Sequence, residues 1–366
     1  MKLAAFAAVL SFVLLATATP ARGETTKRRP PIVVYAGPPS MARFLRVNLQ
    51  ADAPAFFPAN VTIRAGQSIT WRIHGFHTIT FPGANTNLPL VVPHPELPQP
   101  PLSDAARVPF WWVGNSPQLE INPSLVEQRG RATVSNPTDF RNSGIVRLLS
   151  ESNGEAAPYT LTFLKPGIYH YFCAIHLGMR GTVTVLPASA KRTTQATVSR
   201  QAKAQIAKVV AELKRLNTTA PTDRNRILVG AGRSGSAEIM SFFPSRLNIN
   251  VGDTVTFVDN DPTDVHTVTF GPEEYTSAIE NSVFEYAGDS LVFNPLSALP
   301  SEPPDSPSPV RSDGTNHGNG YINSGLLYPP QTPDQLHQFA VTFTKAGTYR
   351  LECVIHSNMD ATIVVR

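Results

Sequence analysis

Cys173, His176 and Met179 stand in the spacing Cys-x-x-His-x-x-Met, and Cys353, His356 and Met359 repeat it further along the chain. Each string runs into a β-rich tail, residues 182–185 and 362–365, and each has an upstream histidine, His77 or His266, that opens a His-Thr-x-Thr-Phe string. A thiolate, an imidazole and a thioether on one tight loop, joined by a second imidazole from a distant strand, make a His₂Cys set with a weak axial Met. That is the ligand list of a mononuclear electron-transfer copper site, one per copy and two per chain.

The chemistry needs these residue types because copper must pass between Cu(II) and Cu(I) with little movement of its ligands. Imidazole suits both states, thiolate sulfur is soft enough for Cu(I), and a long thioether bond tunes the potential. With no open position for water or substrate, such a site exchanges electrons and does little bond chemistry. Metal keeps the thiol deprotonated, so affinity should fall as pH drops. Zinc would prefer a fourth strong ligand to a thioether.

A repeat must position these residues. Ile32-Val33-Val34-Tyr35-Ala36-Gly37 is answered by Ile227-Leu228-Val229-Gly230-Ala231-Gly232, Phe56-Phe57-Pro58 by Phe242-Phe243-Pro244, and Gly66-Gln67-Ser68-Ile69-Thr70-Trp71 by Gly252-Asp253-Thr254-Val255-Thr256-Phe257. Asn142-Ser143-Gly144 and Asn323-Ser324-Gly325 mark the long Pro-rich middles. The chain of 366 residues, too long for one ordinary domain, is therefore read as two copies of one module, 32–187 and 227–366. A basic connector, 188–226, separates them.

Within each copy, apolar and polar residues alternate over short runs punctuated by Gly and Pro, which predicts half-buried strands of a sandwich or barrel. The 34 prolines leave little room for long helices. Residues 160–163, 165–167 and 169–173 read as strand, turn, strand, with Tyr169, Tyr171 and Cys173 facing inward, as do Tyr349, Leu351 and Cys353. In the connector, Val198, Ala202, Ile206, Val209, Leu213 and Leu216 recur at helical steps, with Arg200, Lys203, Lys208, Lys214 and Arg215 on the remaining face. This predicts one amphipathic helix that packs on a domain and fixes the spacing of the modules. A basic helix can also lie on a membrane surface, which is the less favoured reading.

Met1-Lys2, the apolar run 3–18 and the small residues before Ala18 and Gly23 read as a signal peptide over 1–23, cleaved after Ala18 or Gly23, followed by a tail at 24–31. The expectation is an exported protein, periplasmic or extracellular. Two cysteines in an oxidising compartment would by default form a disulfide; their equivalent places in separate copies argue against it. The charge is uneven, +3 over 31–187 and −9 over 217–366. Positive charge without interleaved aromatics excludes nucleic acid as a partner, and the contrast between the modules points to different docking partners.

At these residues the chain resembles the blue copper proteins, or cupredoxins, of the plastocyanin, pseudoazurin and amicyanin group. The similarity lies in the Gly-Asp-Thr-Val-Thr-Phe, His-Thr-Val-Thr-Phe and Gly-x-Tyr strings and in the Cys-x-x-His-x-x-Met loop, whose gap before Met is most like amicyanin. The resemblance implies an all-β chain of two Greek-key sandwiches joined by a linker with one helix, each with copper at one end. It implies type 1 ligands His77, Cys173, His176 and Met179, then His266, Cys353, His356 and Met359, and transient redox partner proteins.

Two features depart from the family. Thr78 and Thr267 stand where an Asn often latches the Cys loop, so their hydroxyls would have to serve. Pro-rich insertions, 84–158 and 272–337, would cover the copper end or build a docking surface. A multicopper oxidase or nitrite reductase would need further ligands, yet Phe172 and Glu352 precede the cysteines and no His-x-His occurs. Copper storage or delivery would use the same residues. His74, His94, His170, His317 and His337 are assigned no role.

Overall fold

Short alternating runs can hide their apolar sides only by pairing sheet against sheet, and the chain does this twice. The computed structural model describes residues 30–40, 42–85, 88–94, 96–97, 100–145 and 155–366, so the leader expected over 1–23 lies outside the described residues. Among the described residues no helix is long and apolar enough to cross a membrane.

The first sandwich faces a sheet of strands Phe56–Phe57, Ile32–Ala36, Ser68–His74, Glu155–Phe163 and Thr133–Val134 against one of Arg141–Asn142, Thr80–Phe81, Gly167–Phe172, Arg180–Leu186 and Asn60–Arg64. Trp71, Phe81, Phe163, Tyr169 and Tyr171 fill the space between them. The second sandwich pairs a six-stranded sheet, centred on Arg226–Arg233 and Thr254–Asp259, with a five-stranded one centred on Asp360–Val365 and Gly347–Glu352. Phe257, Phe270, Phe343 and Leu351 form its core.

One sequence expectation changes at this level and one gains detail. The expected strand, turn, strand is present as Glu155–Phe163 and Gly167–Phe172, and the two strands lie in opposite sheets, so the turn is a corner between layers. The repeat alignment of the first strand also shifts by two residues. Tyr35 pairs with Phe57 as Leu228 pairs with Phe243, which makes Gly230, and not Gly232, the counterpart of Gly37.

The halves interlock. Residues 31–366 form one compact unit. Ala51–Asp52, from the first half, adds to the edge of the second sandwich by pairing with Glu238 and Ile239. The two insertions are not loose loops: Val91–His94 and Gln118–Ile121 from one, and Ser290–Phe293 and Phe284–Ala287 from the other, build one four-stranded sheet. Its two hairpins meet where Glu120 lies opposite Val292. A core of Ile121, Leu125, Ile145, Leu291 and Phe293 backs it and reaches Ala174, Ile175 and Ile355 of the Cys loops. The insertions thus cover the ends of both sandwiches that carry the ligand strings.

The connector helix is Gln195–Leu216. Thr194 caps it by accepting the Thr197 N–H, and Lys214 and Arg215 complement the dipole of its last turn. Val198, Ala202, Val209 and Leu213 are its buried face. Ala202, Val209 and Leu213 join Phe44, Ala53 and Phe57 of the first half and Ala237 and Ile239 of the second in a single cluster. The helix therefore does fix the two sandwiches together. It does so through apolar packing and not through its basic residues, of which Arg215 pairs with the helix's own Glu212.

Candidate metal centres

In the first sandwich, the strand Gly167–Phe172 runs out at Cys173, and a loop returns to Arg180–Leu186, its hydrogen-bonded neighbour. The Cys173 N–H donates to Met179 O at 2.9 Å and the Met179 N–H to His176 O at 3.3 Å, which closes the loop on itself. The second loop repeats both contacts at 2.9 and 3.3 Å, between Cys353, Met359 and His356. Equal spacing in sequence therefore becomes equal geometry.

This places the donors together. His77 Nδ1 lies 3.0 Å from His176 Nδ1, and Cys173 Sγ lies 3.5 Å from the same nitrogen. In the second sandwich His266 Nδ1 lies 3.1 Å from His356 Nδ1, and Cys353 Sγ 3.6 Å from it. Met179 and Met359 are buried in the same cores as the cysteines. Both cysteines are free thiols, so no disulfide joins them.

Burial acts to raise the Cys173 thiol, but His176 and His77 outweigh it and hold the thiol well below its ordinary value. Burial, and against it His356 and His266, do the same for Cys353. Opposing its own burial, the Cys353 sulfur and then Asp264 push the His356 imidazole up to about 10. These are thiolate and imidazole groups ready to trade protons for a cation.

The surroundings hold the rings in place. Gly37 and Gly230 have left-handed φ values of 75° and 68°, and a Cβ there would meet His77 Nε2 at 2.7 Å and His266 Nε2 at 2.6 Å. Only glycine combines that backbone with that closeness. Thr78 N–H points at Cys173 Sγ at 3.4 Å and Thr267 N–H at Cys353 Sγ at 3.3 Å. The two threonine hydroxyls latch the Cys loops as expected, accepting the Ala174 N–H at 2.7 Å and the Val354 N–H at 2.9 Å.

The latch continues into the insertions. Thr80 Oγ1 donates to Asn142 Oδ1 at 3.0 Å, and Asn142 Nδ2 donates to Leu125 O at 3.1 Å. Thr269, Asn323 and Leu296 O repeat the chain at 3.1 and 2.7 Å. Ser143 and Ser324 accept the N–H groups of Ile79 and Val268. The shared Asn-Ser-Gly strings, visible in the sequence only as marks of a repeat, are thus what ties each insertion to its histidine strand.

The two centres face each other. Leu177 N–H donates to Thr263 O at 2.8 Å across the junction. His176 Nε2 lies 3.6 Å and His356 Nε2 3.1 Å from one atom, Asp264 Oδ2. Asp261 Oδ2 lies 3.5 Å from His266 Nε2. Burial acts to raise the Asp264 carboxyl, but His356 and the other two imidazoles hold it below the carboxylate range. Burial pushes Asp259 up to about 8. These acids went unnoticed in the sequence, although the segment from Gly252 to His266 is three residues longer than that from Gly66 to His77 and carries Asp259, Asp261 and Asp264.

The remaining histidines lie outside the two clusters. His170 is exposed and meets Thr182 Oγ1 at 3.2 Å. His337 meets Tyr328 O at 2.9 Å. His317, assigned no role from the sequence, has two partners: Asp104 Oδ2 at 3.2 Å and Glu302 Oε1 at 3.0 Å.

The chain matches no family profile and no curated protein. Among solved structures it is similar to auracyanin A, a "blue" copper protein from Chloroflexus aurantiacus, with 22% identity over 38% of this chain and 96% of that one and a TM-score of 0.25. It is similar to amicyanin from Paracoccus versutus, with 16% identity over 40% and 85% and a TM-score of 0.22. For plastocyanin from Dryopteris crassirhizoma the identity is 16% over 38% and 99%, with a TM-score of 0.20.

Proposed function

We propose that this chain is a one-electron carrier with two mononuclear copper sites of the blue type, held by His77, Cys173, His176 and Met179 and by His266, Cys353, His356 and Met359. The observation that carries the reading is the pair of matching clusters in which two imidazole Nδ1 atoms and a thiol face one another at 3.0–3.6 Å. Two ring nitrogens at that separation can share one proton or grip one ion, and a soft sulfur beside them favours copper over harder cations. Copper bound there supplies a reversible one-electron couple.

The residues do the rest. His77 and His266, each three residues ahead of a short strand (Thr80–Phe81 and Thr269–Phe270), and the self-closed loops keep the ligands in one arrangement for both oxidation states. The Thr78 and Thr267 N–H groups aimed at sulfur stabilise the thiolate and tune the couple. His77, Cys173 and Met179 are buried, as are His266, Cys353 and Met359, which keeps water from the metal. Each sandwich occupies the face of the other where its loop histidine emerges. The reading therefore includes an internal relay, His176 to Asp264 to His356, before electrons pass to an outside redox protein.

Copper titration of the purified chain, followed by optical and paramagnetic resonance spectra, tests the reading. The expected result is two equivalents bound with an intense thiolate-to-copper band. A colourless protein at two equivalents, or turnover of oxygen or nitrite, overturns it.

A further inference from the structure

Between the two clusters lies a third group of ligand-bearing side chains that ligation through Nδ1 leaves unused. His176, Glu238 and Asp264 each offer one ligand atom, all within 4.8 Å of one another, and all three residues are buried. Glu238 comes from the strand Ala237–Phe243, opposite Asp52. It is 1% exposed, and neither carboxylate oxygen has a hydrogen-bond partner. Asp264 accepts the Val265 N–H at 2.9 Å through Oδ1 and meets His356 Nε2 at 3.1 Å through Oδ2, whose remaining lone pair faces the junction. At 3.6 Å from that oxygen, His176 Nε2 is beyond a good hydrogen bond.

A buried carboxylate stays ionised only beside a positive charge. Asp264 Oδ2 has the His356 imidazole at 3.1 Å, whereas Glu238 has no partner on either oxygen. A cation would satisfy the two orphaned oxygens.

We propose that His176 Nε2, Glu238 and Asp264 form a third metal site, of imidazole–carboxylate type, for a borderline divalent cation of the Zn²⁺ class. The proposal goes beyond the electron-carrier reading and rests on it only in that copper takes His176 Nδ1. One nitrogen among oxygens selects against calcium and magnesium, which favour all-oxygen shells. Ligands at roughly 2.0–2.2 Å from such an ion stand on the order of 3–4 Å apart, so small side-chain movements close the site. On binding, the Nε2 proton of a ring already held through Nδ1 would leave to water together with any proton on Glu238, so that His176 bridges as an imidazolate. A cavity of about 390 Å³ lined by Asp52, His176, Glu238, Asp264 and His356 gives the ion a way in. Because Glu238 and Asp264 belong to the second sandwich and His176 to the first, the ion would pin the junction through which the relay runs.

The full chain is first loaded with copper, counted by its thiolate band, and then titrated with Zn²⁺ by calorimetry and by elemental analysis after gel filtration. One further equivalent is expected, with a change in the paramagnetic resonance of the copper at Cys173. In Glu238→Gln both coppers should remain and the extra equivalent should vanish. No third equivalent in the parent chain, or one retained in Glu238→Gln, overturns the proposal. If no thiolate band forms, the electron-carrier reading fails by itself. The third site is then decided on a chain carrying Cys173→Ser and Cys353→Ser, which must lose one Zn²⁺ on Glu238→Gln.

Discussion

His176 and His356, from opposite sandwiches, aim their Nε2 atoms at the same oxygen, Asp264 Oδ2, from 3.6 and 3.1 Å. Each ring turns its other nitrogen to its own Cys. A single carboxylate thus stands between two candidate metal ligands and orients the His356 ring.

Asp264→Asn keeps the shape and removes the charge. Electron equilibration between the two coppers after a reducing pulse should slow by roughly tenfold, about 1.4 kcal/mol on the barrier. Two coppers should still bind. An unchanged rate with the same driving force would exclude the carboxylate from the path.

Cys353→Ser replaces the soft ligand of the second cluster alone. The chain should then bind one blue copper, with the spectrum of the first cluster intact. Loss of both bands would mean that the clusters are not independent binding sites.

Gly37→Ala forces a Cβ within 2.1 Å of His74 O and 2.7 Å of His77 Nε2, at a backbone angle that costs an L-residue roughly 1–2 kcal/mol. Copper at the first cluster should be lost or strongly weakened while the second stays filled. Gly230→Ala should give the mirror result. Gly232→Ala is a contrast by conformation, since Gly232 has no positive φ, although its Cβ would press on Asp261.

Thr78→Ala removes the acceptor of the Ala174 N–H and leaves a donor without its partner. Chemical denaturation should report a loss of about 1–3 kcal/mol. Thr78→Ser, which keeps the oxygen, should recover most of it.

His317 joins Asp104 of the first insertion to Glu302 of the second and stacks on Phe110. Its pKa is raised, chiefly by the Glu302 hydrogen bond, against the opposing effect of burial and with Asp104 adding to the rise. A raised folded value means that the contact stabilises fully below the unfolded pKa and weakens as pH climbs through the folded one. Hydrogen exchange at residues 102–113 should therefore quicken, relative to the intrinsic rate, from pH 6 to pH 9. His317→Gln should flatten that change.

The ligand strings, the repeat and the connector helix were legible because each is local: a fixed spacing, an alternation, a 3.6-residue period. What was hidden depends on pairings between distant segments. Val91–His94 and Gln118–Ile121 carry too few alternating positions to announce a sheet, and nothing local says that Val292 will lie opposite Glu120. Glu238 reads as an ordinary strand residue until Ala51–Asp52 crosses over to cover it. Gly232 drew the repeat alignment because a six-residue apolar run matches itself at several offsets. Only the pairing of Leu228 with Phe243 selects Gly230. The lengthened Asp-rich segment before His266 was the one sequence signal of the junction.

The sheet assembled from both insertions has a consequence for how the chain can be divided. Either half produced by itself would bare the open rim of its hairpin at Gln118–Ile121 or Ser290–Phe293 together with the greasy underside that its twin normally shields. Separate halves should clump, whereas a single cut in the connector would leave the pieces clasped. Strand pairing, and not only the tether, thus holds the two copies together.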